Sequence, residues 1–349
     1  MKKIIFILLL FINSLFAQNL ESKISNMIVI GFKGYDLNDT NPLYLHLKKY
    51  PLGGVILFDK NIKDEIQLKN LTTQLTFLSK NNLLITIDEE GGRVSRLGKV
   101  EGFSKTPSAK QIALRGDMAA KKSYEKMALM LNDVGINCNL APSVDLAINP
   151  KNQVIVKNGR SFSKDQKVVI KYATIFMKEM QKQGILSVIK HFPGHGSSLL
   201  DSHDGFVDVS KSWSYLELVP FERLIKNKDT KMIMTAHIYN KNLDAIYPAT
   251  LSYSINQTLL REKLGFNGVL ISDDLQMRAI SKNYSLQESL KLSINSGVDL
   301  LLFANQIDKP ISIKEIVDIV LKLINIGEID IRTIDKANER IDKLKRGLS

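Results

Sequence analysis

The sequence predicts an α/β protein with a (β/α)8 barrel of the TIM type. Eight short apolar runs alternate with helical patterns, and nearly every run ends in glycine or polar residues. Continuous apolar runs are typical of parallel strands that are buried on both faces. Eight such strands separated by helices favour a closed barrel. An open, doubly wound sheet is the alternative, but no glycine-rich phosphate fingerprint follows the first run.

The elements can be assigned in chain order. The predicted strands are MIVIGFKG from Met27, GGVILF from Gly53, LLITIDEEGG from Leu83, INCNLAPSVD from Ile136, SVIKHFPG from Ser187, MIMTAHIYN from Met232, GVLISDD from Gly268 and DLLLFAN from Asp299. Between them, segments such as SYEKMALMLNDVG carry apolar residues at three- and four-residue spacing, and two of these segments stop at Gly135 and Gly184. After Asn305 the pattern predicts two more helices and no further strand. We therefore expect one domain over residues 18–349.

The first seventeen residues are typical of a secretory signal peptide. Lys2 and Lys3 precede the apolar run Ile4–Ile12, and the small residue Ala17 comes before a polar stretch. We place cleavage near Ala17 and expect an exported protein, either periplasmic or secreted. An uncleaved membrane anchor is the alternative, but the apolar run is shorter than the ~20 residues that a span needs. No stable membrane span is expected after cleavage.

The composition limits the kinds of binding partner that are expected. The net charge is +12 at pH 7, and a basic surface can attract anionic polymers such as cell wall. The lysines are scattered, however, without the arginine and aromatic interleaving that nucleic-acid binding favours, so no nucleic-acid partner is expected.

Cys138 is the only cysteine, which excludes an intrachain disulfide. Its apolar neighbours predict a place in the core.

Histidines cluster after the fifth predicted strand. Three of the chain's five histidines lie within residues 191–203, in a loop that runs from Phe192 towards Ser210. In an extended segment, Asp201 and His203 would lie on one side, because side chains two residues apart share a face. A carboxylate held against one imidazole nitrogen leaves the other free to give or take a proton. The pair therefore predicts an acid/base dyad.

Two other interpretations of this loop remain open. The histidines could simply hold the loop together through satisfied hydrogen bonds. They could also bind a metal ion through His191, His195, His203 and Asp201, although Pro193 between the first two argues against helical ligand spacing.

Polar residues at two other strand ends point to the same end of the barrel, where barrel enzymes carry their chemistry. The seventh run ends in Asp273 and Asp274, whose side chains should point to opposite faces, so one should enter the pocket. Asp274 suits a helix N-cap better. The third run ends at Asp88, followed by a glycine pair and Arg96. Such residues can bind sugar hydroxyls, and a structural ion pair is the alternative.

Six segments, taken together, resemble glycoside hydrolase family 3, and more narrowly its bacterial single-domain β-N-acetylhexosaminidases. The segments are IDEEGGRVSRL, LAPSVD, GRSFS, IKHFPGHG with DSH, MTAH and GVLISDDLQM, which span about residues 27 to 305. The resemblance implies a retaining exo-glycosidase that removes terminal N-acetylglucosamine from β-linked glycans through a covalent glycosyl-enzyme. It implies no cofactor and no metal ion.

The resemblance also implies roles for individual residues. Asp273 corresponds to the nucleophile, and His203, assisted by Asp201, to the acid/base. The sugar-binding positions fall on Asp88, Arg96, Arg160, Lys190 and His191. Lys190 and His191 are neighbours, so both can reach the sugar only where the strand ends or bulges.

The expected export signal suggests that the substrate is a cell-wall fragment outside the cytoplasm. Two alternatives for the function remain: a metal-dependent hydrolase that uses His191, His195 and His203, and a non-catalytic glycan-binding protein.

Overall fold

The computed structural model describes residues 19–199 and 205–348. Ten strands occur within these residues. They are β1 (Ile28–Gly31), β2 (Gly54–Leu57), β3 (Leu84–Ile87), β4 (Cys138–Asn139), β5 (Leu186–Phe192), β6 (Val207–Asp208), β7 (Met232–Thr235), β8 (Ile238–Tyr239), β9 (Val269–Ile271) and β10 (Leu301–Phe303). The predicted signal peptide, Met1–Ala17, lies outside the described residues.

Eight of these strands form a parallel barrel in the order β10-β1-β2-β3-β4-β5-β7-β9. A parallel bridge between Ile271 and Leu300 closes it, and the backbone N–H of Ser272 donates to Leu300 O at 2.9 Å. The predicted (β/α)8 barrel is therefore confirmed, and the open-sheet alternative is wrong. The short strands β6 and β8 pair in a separate sheet between the loops that follow β5 and β7.

Helices follow the barrel strands. They are α1 (Pro42–Lys49), α2 (Glu65–Leu78), α3 (Ala109–Arg115), α4 (Asp117–Asp133), α5 (Gln166–Lys182), α6 (Val219–Lys226), α7 (Arg278–Ser281), α8 (Leu286–Asn295), α9 (Ile313–Asn325) and α10 (Ile331–Arg346). A π-helix covers Ser254–Lys263, and short 3-10 helices cover Asp59–Asn61, Leu97–Lys99, Tyr215–Glu217 and Ala249–Leu251. Residues 19–25 are also helical.

The ends of α4 and α5 follow from the sequence. Both helices stop just before a glycine with positive φ, +72° at Gly135 and +70° at Gly184. Glycine adopts this left-handed conformation without steric cost, which suits it to terminate a helix. After β10, α9 and α10 are the two predicted final helices.

The fourth strand is shorter than its apolar run. Only Cys138 and Asn139 pair as a strand, and Pro142, which has no N–H to donate to a ladder, follows three residues later. The chain rejoins β5 through a single bridge between Ser143 and Lys190. Cys138 is fully buried in the core, as expected, and burial raises the pKa of its thiol to about 12.

Among residues 19–199 and 205–348, no helix combines the length and the apolar character that crossing a bilayer requires.

Candidate active site

A cavity of about 180 Å3 opens at the carboxyl ends of the barrel strands. Its lining includes six of the eight predicted site residues, namely Asp88, Arg96, Arg160, Lys190, His191 and Asp273. They come from three strand ends and two loops far apart in sequence, so the barrel is what assembles them. The other two predicted residues, Asp201 and His203, lie outside the described residues.

Neighbouring residues Lys190 and His191 both reach this cavity. Regular alternation would point them to opposite faces. The pairing of β5 with β7, however, shifts register between Ile189 and Phe192. The strand is therefore irregular at the position where the predicted joint role requires it to be.

Glu90 links the cations of the cavity, a role that was not predicted from the sequence. Its carboxylate accepts hydrogen bonds from Arg160 Nε at 2.9 Å and Arg160 Nη2 at 2.7 Å, and lies 2.8 Å from Lys190 Nζ. Lys190 Nζ also donates to Asp88 Oδ1 at 2.7 Å. A signal was present, because Asp88 and Glu90 are two residues apart at a strand end and so share a face.

The charges of this network stabilise one another. Burial alone would raise the pKa of Glu90, but Arg160 and Lys190 bring it well below its usual value. Burial likewise opposes ionisation of Lys190, yet Asp88 and Glu90 raise its pKa. For Asp88, the opposing effect of burial is outweighed by Lys190 and Arg96, so its pKa is lowered. All these groups are therefore charged at neutral pH.

Arg96 is positioned by the turn after β3. Its Nη2 lies 3.5 Å from Asp88 Oδ2, and its guanidinium stacks over the ring of Phe58 at 5.3 Å. The buried Glu89 accepts the backbone N–H of Arg96 at 2.8 Å, which orients the turn. Gly91 reverses the chain with φ +87°, and a Cβ there would lie 2.5 Å from Pro107 O. The chain therefore turns sharply at the glycine pair.

His191 is held at both ring nitrogens. Its Nδ1 lies 2.6 Å from Asp145 Oδ2 and its Nε2 lies 3.2 Å from Arg160 Nη2. Since a guanidinium can only donate, Nε2 accepts from Arg160, and Nδ1 carries the proton that it donates to Asp145. Burial would raise the pKa of Asp145, but the interaction with His191 outweighs this effect and lowers the pKa to about 2. This arrangement leaves neither nitrogen of His191 available as a metal ligand.

His195 lines the same cavity, and its Nδ1 lies 2.7 Å from Ser198 Oγ. Burial, with His191 adding to it, lowers the pKa of His195 to about 4, so the ring is neutral at pH 7. Its Nε2 is buried without a hydrogen-bond partner among the described residues. Those residues contain no cluster of three His, Cys, Asp or Glu side chains with metal-binding geometry. His203, the remaining histidine of the alternative metal site, lies outside the described residues.

The start of the histidine loop is tightly anchored. Asn152 Nδ2 donates to His195 O at 2.9 Å and to Ser198 Oγ at 3.0 Å. Gly196 packs so closely that a Cβ would lie 1.9 Å from Leu146 O. Gly196 is thus required for close packing at the start of this loop.

Asp273 and Asp274 differ in their surroundings. Asp273 Oδ1 accepts the backbone N–H of Asp274 at 2.8 Å. Asp274 Oδ1 accepts the N–H groups of Gln276 and Ala304, each at 3.1 Å, and so caps the turn after β9 and joins it to β10. His237 Nε2 donates to Asp274 O at 2.8 Å. Asp274 therefore stabilises this turn, but the predicted helix N-cap is wrong, because the N-cap of α7 is Met277.

Comparisons with known proteins agree with this geometry. The model of the family described as "Glycosyl hydrolase family 3 N terminal domain" matches residues 19–344. The chain is 35% identical over 327 residues to "Beta-hexosaminidase A" of Pseudoalteromonas piscicida, covering 86% of this chain and 54% of the relative. It is 34% identical over 288 residues to a "Beta-hexosaminidase" of Haemophilus influenzae, covering 80% of this chain and 79% of that protein. The chain thus spans about half the length of the Pseudoalteromonas relative.

A solved structure is similar along most of the chain. The glycoside hydrolase family 3 β-N-acetylglucosaminidase from Paenibacillus sp. matches with a TM-score of 0.86 and 31% identity, over 94% of this chain and 62% of that protein. The chain therefore belongs to glycoside hydrolase family 3, whose N-terminal domain spans residues 19–344.

Proposed function

We propose that this protein is a retaining exo-β-N-acetylhexosaminidase, which hydrolyses terminal N-acetylglucosamine from β-linked glycans. The names of the relatives support this reaction, and one structural observation supports the same reaction in this chain. Asp273 lines the same small cavity as Asp88, Arg160 and Lys190, and Glu90 pairs with the last two. A carboxylate beside a rigid set of hydrogen-bonding groups is what nucleophilic attack on a bound sugar requires.

In the proposed first step, Asp273 attacks the anomeric carbon while the bond to the departing oxygen breaks. His203 gives its proton to that oxygen, and Asp201 orients the imidazole ring. In the second step, His203 takes a proton from water, the water oxygen bonds to the anomeric carbon, and Asp273 leaves. A histidine in this role replaces the second carboxylate that most glycosidases use.

The charged network would bind the sugar in this mechanism. Asp88 can accept hydrogen bonds from sugar hydroxyls, and Lys190, Arg96 and Arg160 can donate them. Because each cation is already paired with a carboxylate, the network is held in place before substrate arrives. Such preorganisation lowers the cost of orienting the sugar for attack.

Cell-wall fragments outside the cytoplasm are the proposed natural substrates. This proposal depends on the expected signal peptide, Met1–Ala17, and on the basic character of the chain.

The test is an activity screen of the protein beginning at Gln18. We expect turnover of 4-nitrophenyl β-N-acetylglucosaminide well above that of the matching β-glucoside and β-xyloside, with no effect of a chelator. Loss of activity on chelation would instead favour a metal-dependent hydrolase. Binding of N-acetylglucosamine without turnover of any substrate would favour a glycan-binding protein.

A further inference from the structure

A second cavity lies at the opposite end of the barrel. Its volume is about 660 Å3, against about 180 Å3 for the active-site cavity. It opens beside Lys231 and Gly268, which directly precede strands β7 and β9, and between the ends of helices α6 and α10. Volumes of this size are typical of ligand-binding pockets. The hydrolysis proposed above gives this cavity no role.

The rim of this cavity is strongly basic. Five lysine or arginine residues line it, and its lining contains no acidic residue. Lys226 is paired with Glu222 at 2.8 Å, and Arg340 with Asp299 at 3.0 Å. Within the described part of the chain, the other three, Lys228, Lys231 and Lys343, form no ion pair. Three uncompensated ammonium groups around one concavity favour an anionic occupant.

The floor of the cavity is apolar and held in place. It includes Ile225 and Phe266, of which Phe266 is only 2% exposed. Arg261 Nη1 donates to Phe266 O at 3.2 Å and to Gly268 O at 3.0 Å, which fixes the loop before β9. The buried Asp299 also pairs with Arg261, at 2.7 Å. The cavity is therefore preformed, and an apolar group could enter without rearrangement.

A buried hydroxyl in the lining has no partner. Thr230 is 8% exposed, and its Oγ1 makes no hydrogen bond within the described residues. Buried polar groups are nearly always satisfied, so an orphaned one in a cavity wall is an independent sign of a missing ligand.

We propose that this cavity binds a short acidic peptide segment of a partner protein. Its carboxylates would pair with Lys228, Lys231 and Lys343, and one apolar side chain would rest on the floor. The apolar residues are recessed, whereas insertion into a membrane surface requires them to protrude. Stacking of nucleic-acid bases requires exposed aromatic rings, and Phe266 is buried. The concave shape and the spread of charges fit a peptide better than either.

The test measures binding of two synthetic peptides, Ac-EEFEE-amide and Ac-EEAEE-amide, to the protein beginning at Gln18, by calorimetry at low salt. We expect the phenylalanine peptide to bind more tightly, with an affinity that falls as salt is raised. The variant Lys231→Glu/Lys343→Glu should weaken binding about tenfold or more. The matched variant Lys69→Glu/Lys122→Glu changes the net charge equally at exposed positions that do not line this cavity and should leave binding unchanged.

Thr230→Val gives a second measurement that does not depend on net charge. It removes the hydroxyl at constant shape, and we expect it to weaken peptide binding a few-fold while the fold is retained. Equal losses of affinity in both double variants would show that the peptide is held only by non-specific charge attraction, and would overturn the proposed site. Failure of the phenylalanine peptide to bind at about 1 mM would also overturn it. Neither binding measurement depends on hydrolysis, so failure of the peptide site and failure of the proposed hydrolase activity can be told apart.

Discussion

Arg160 donates two hydrogen bonds to the carboxylate of Glu90, from Nε at 2.9 Å and from Nη2 at 2.7 Å. Both side chains are more than nine-tenths buried. A bidentate pair of this kind fixes the guanidinium plane as well as its position. Because Glu90 also holds Lys190, one carboxylate orients two of the cations that would bind the sugar. Glu90 is thus a positioning residue for the proposed site.

Glu90→Gln is therefore expected to impair substrate binding and stability together. It leaves two buried cations under-compensated, and breaking a buried ion pair costs about 3–5 kcal/mol of the free energy of unfolding. We expect KM for the N-acetylglucosaminide to rise more than kcat falls, measured on protein that is still folded. Asp318→Asn is the control, since its pair with Lys314 is exposed and should contribute less than about 1 kcal/mol. An unchanged KM in folded Glu90→Gln would contradict the positioning role.

Asp273 and Asp274 are adjacent but should respond differently to mutation. Asp273→Ala should abolish turnover while the fold remains, because the proposed covalent intermediate forms on this carboxylate. Asp274→Ala should retain far more activity and lose stability, since it removes the acceptor for two backbone N–H groups. Thermal unfolding and kcat measured on both variants separate the two effects. If Asp274 proves essential and Asp273 dispensable, the assignment of the nucleophile is wrong.

The sequence predicts the barrel well because its signals are local. Buried parallel strands are continuous apolar runs, and Gly135 and Gly184 mark helix ends through their own backbone conformation. The network of Glu90 with Arg160 is harder to predict, because 70 residues separate the partners and only the closed barrel brings them together. The register shift in β5 likewise depends on how the strand pairs with β7.

The basic cavity at the far end of the barrel could not have been predicted. Lysines are scattered along the whole sequence, so Lys231 and Lys343 carry no pattern that distinguishes them from the others. They become neighbours only through the packing of α10 beneath the strands.

Export is a separate prediction. Fractionation of the native host should recover the protein outside the cytoplasm, beginning near Gln18, because the first seventeen residues are typical of a cleaved signal. The protein beginning at Gln18 should be soluble and as active as the exported form. Full-length, unprocessed protein in the cytosol would contradict the expectation.

The His203 and Asp201 dyad predicts a dependence on the leaving group. Without the acid, the departing oxygen must leave unprotonated, which slows glycosylation most for poor leaving groups. His203→Ala should therefore lose most activity on natural disaccharides and much less on activated phenyl glycosides. Asp201→Ala should show the same pattern more mildly, because the ring is still present but not oriented.

The measurement for the dyad is the slope of log kcat/KM against leaving-group pKa for the wild type and both variants. A steeper slope in His203→Ala supports the acid role. Equal losses on activated and natural substrates, in correctly folded protein, would count against it.

Phosphate should also compete with water as acceptor and yield some sugar 1-phosphate, since a neutral imidazole repels an anion less than a carboxylate does.

Glu217 provides a pH-dependent prediction about the base of the histidine loop. It is fully buried, and its Oε2 accepts the backbone N–H of Ser197 at 3.1 Å, while its Oε1 has no partner among the described residues. Burial, with a further contribution from Asp145, raises the pKa of Glu217 to about 7. The carboxyl is therefore protonated in the folded protein at pH values where it is ionised in the unfolded chain.

The sign of the stability change follows from proton uptake. Between pH 4.5 and about 7 the folded protein binds more protons at Glu217 than the unfolded chain, so this group lowers the free energy of unfolding as pH rises through that window. The full effect is at most about 3 kcal/mol. Glu217→Gln keeps an acceptor for Ser197 but cannot ionise, so its stability relative to the wild type should increase from pH 5 to pH 8. Urea unfolding of both proteins across this range gives the difference in their free energies of unfolding. The titration of all other groups cancels in this difference. A difference that stays constant with pH would show that Glu217 ionises equally in the folded and unfolded states.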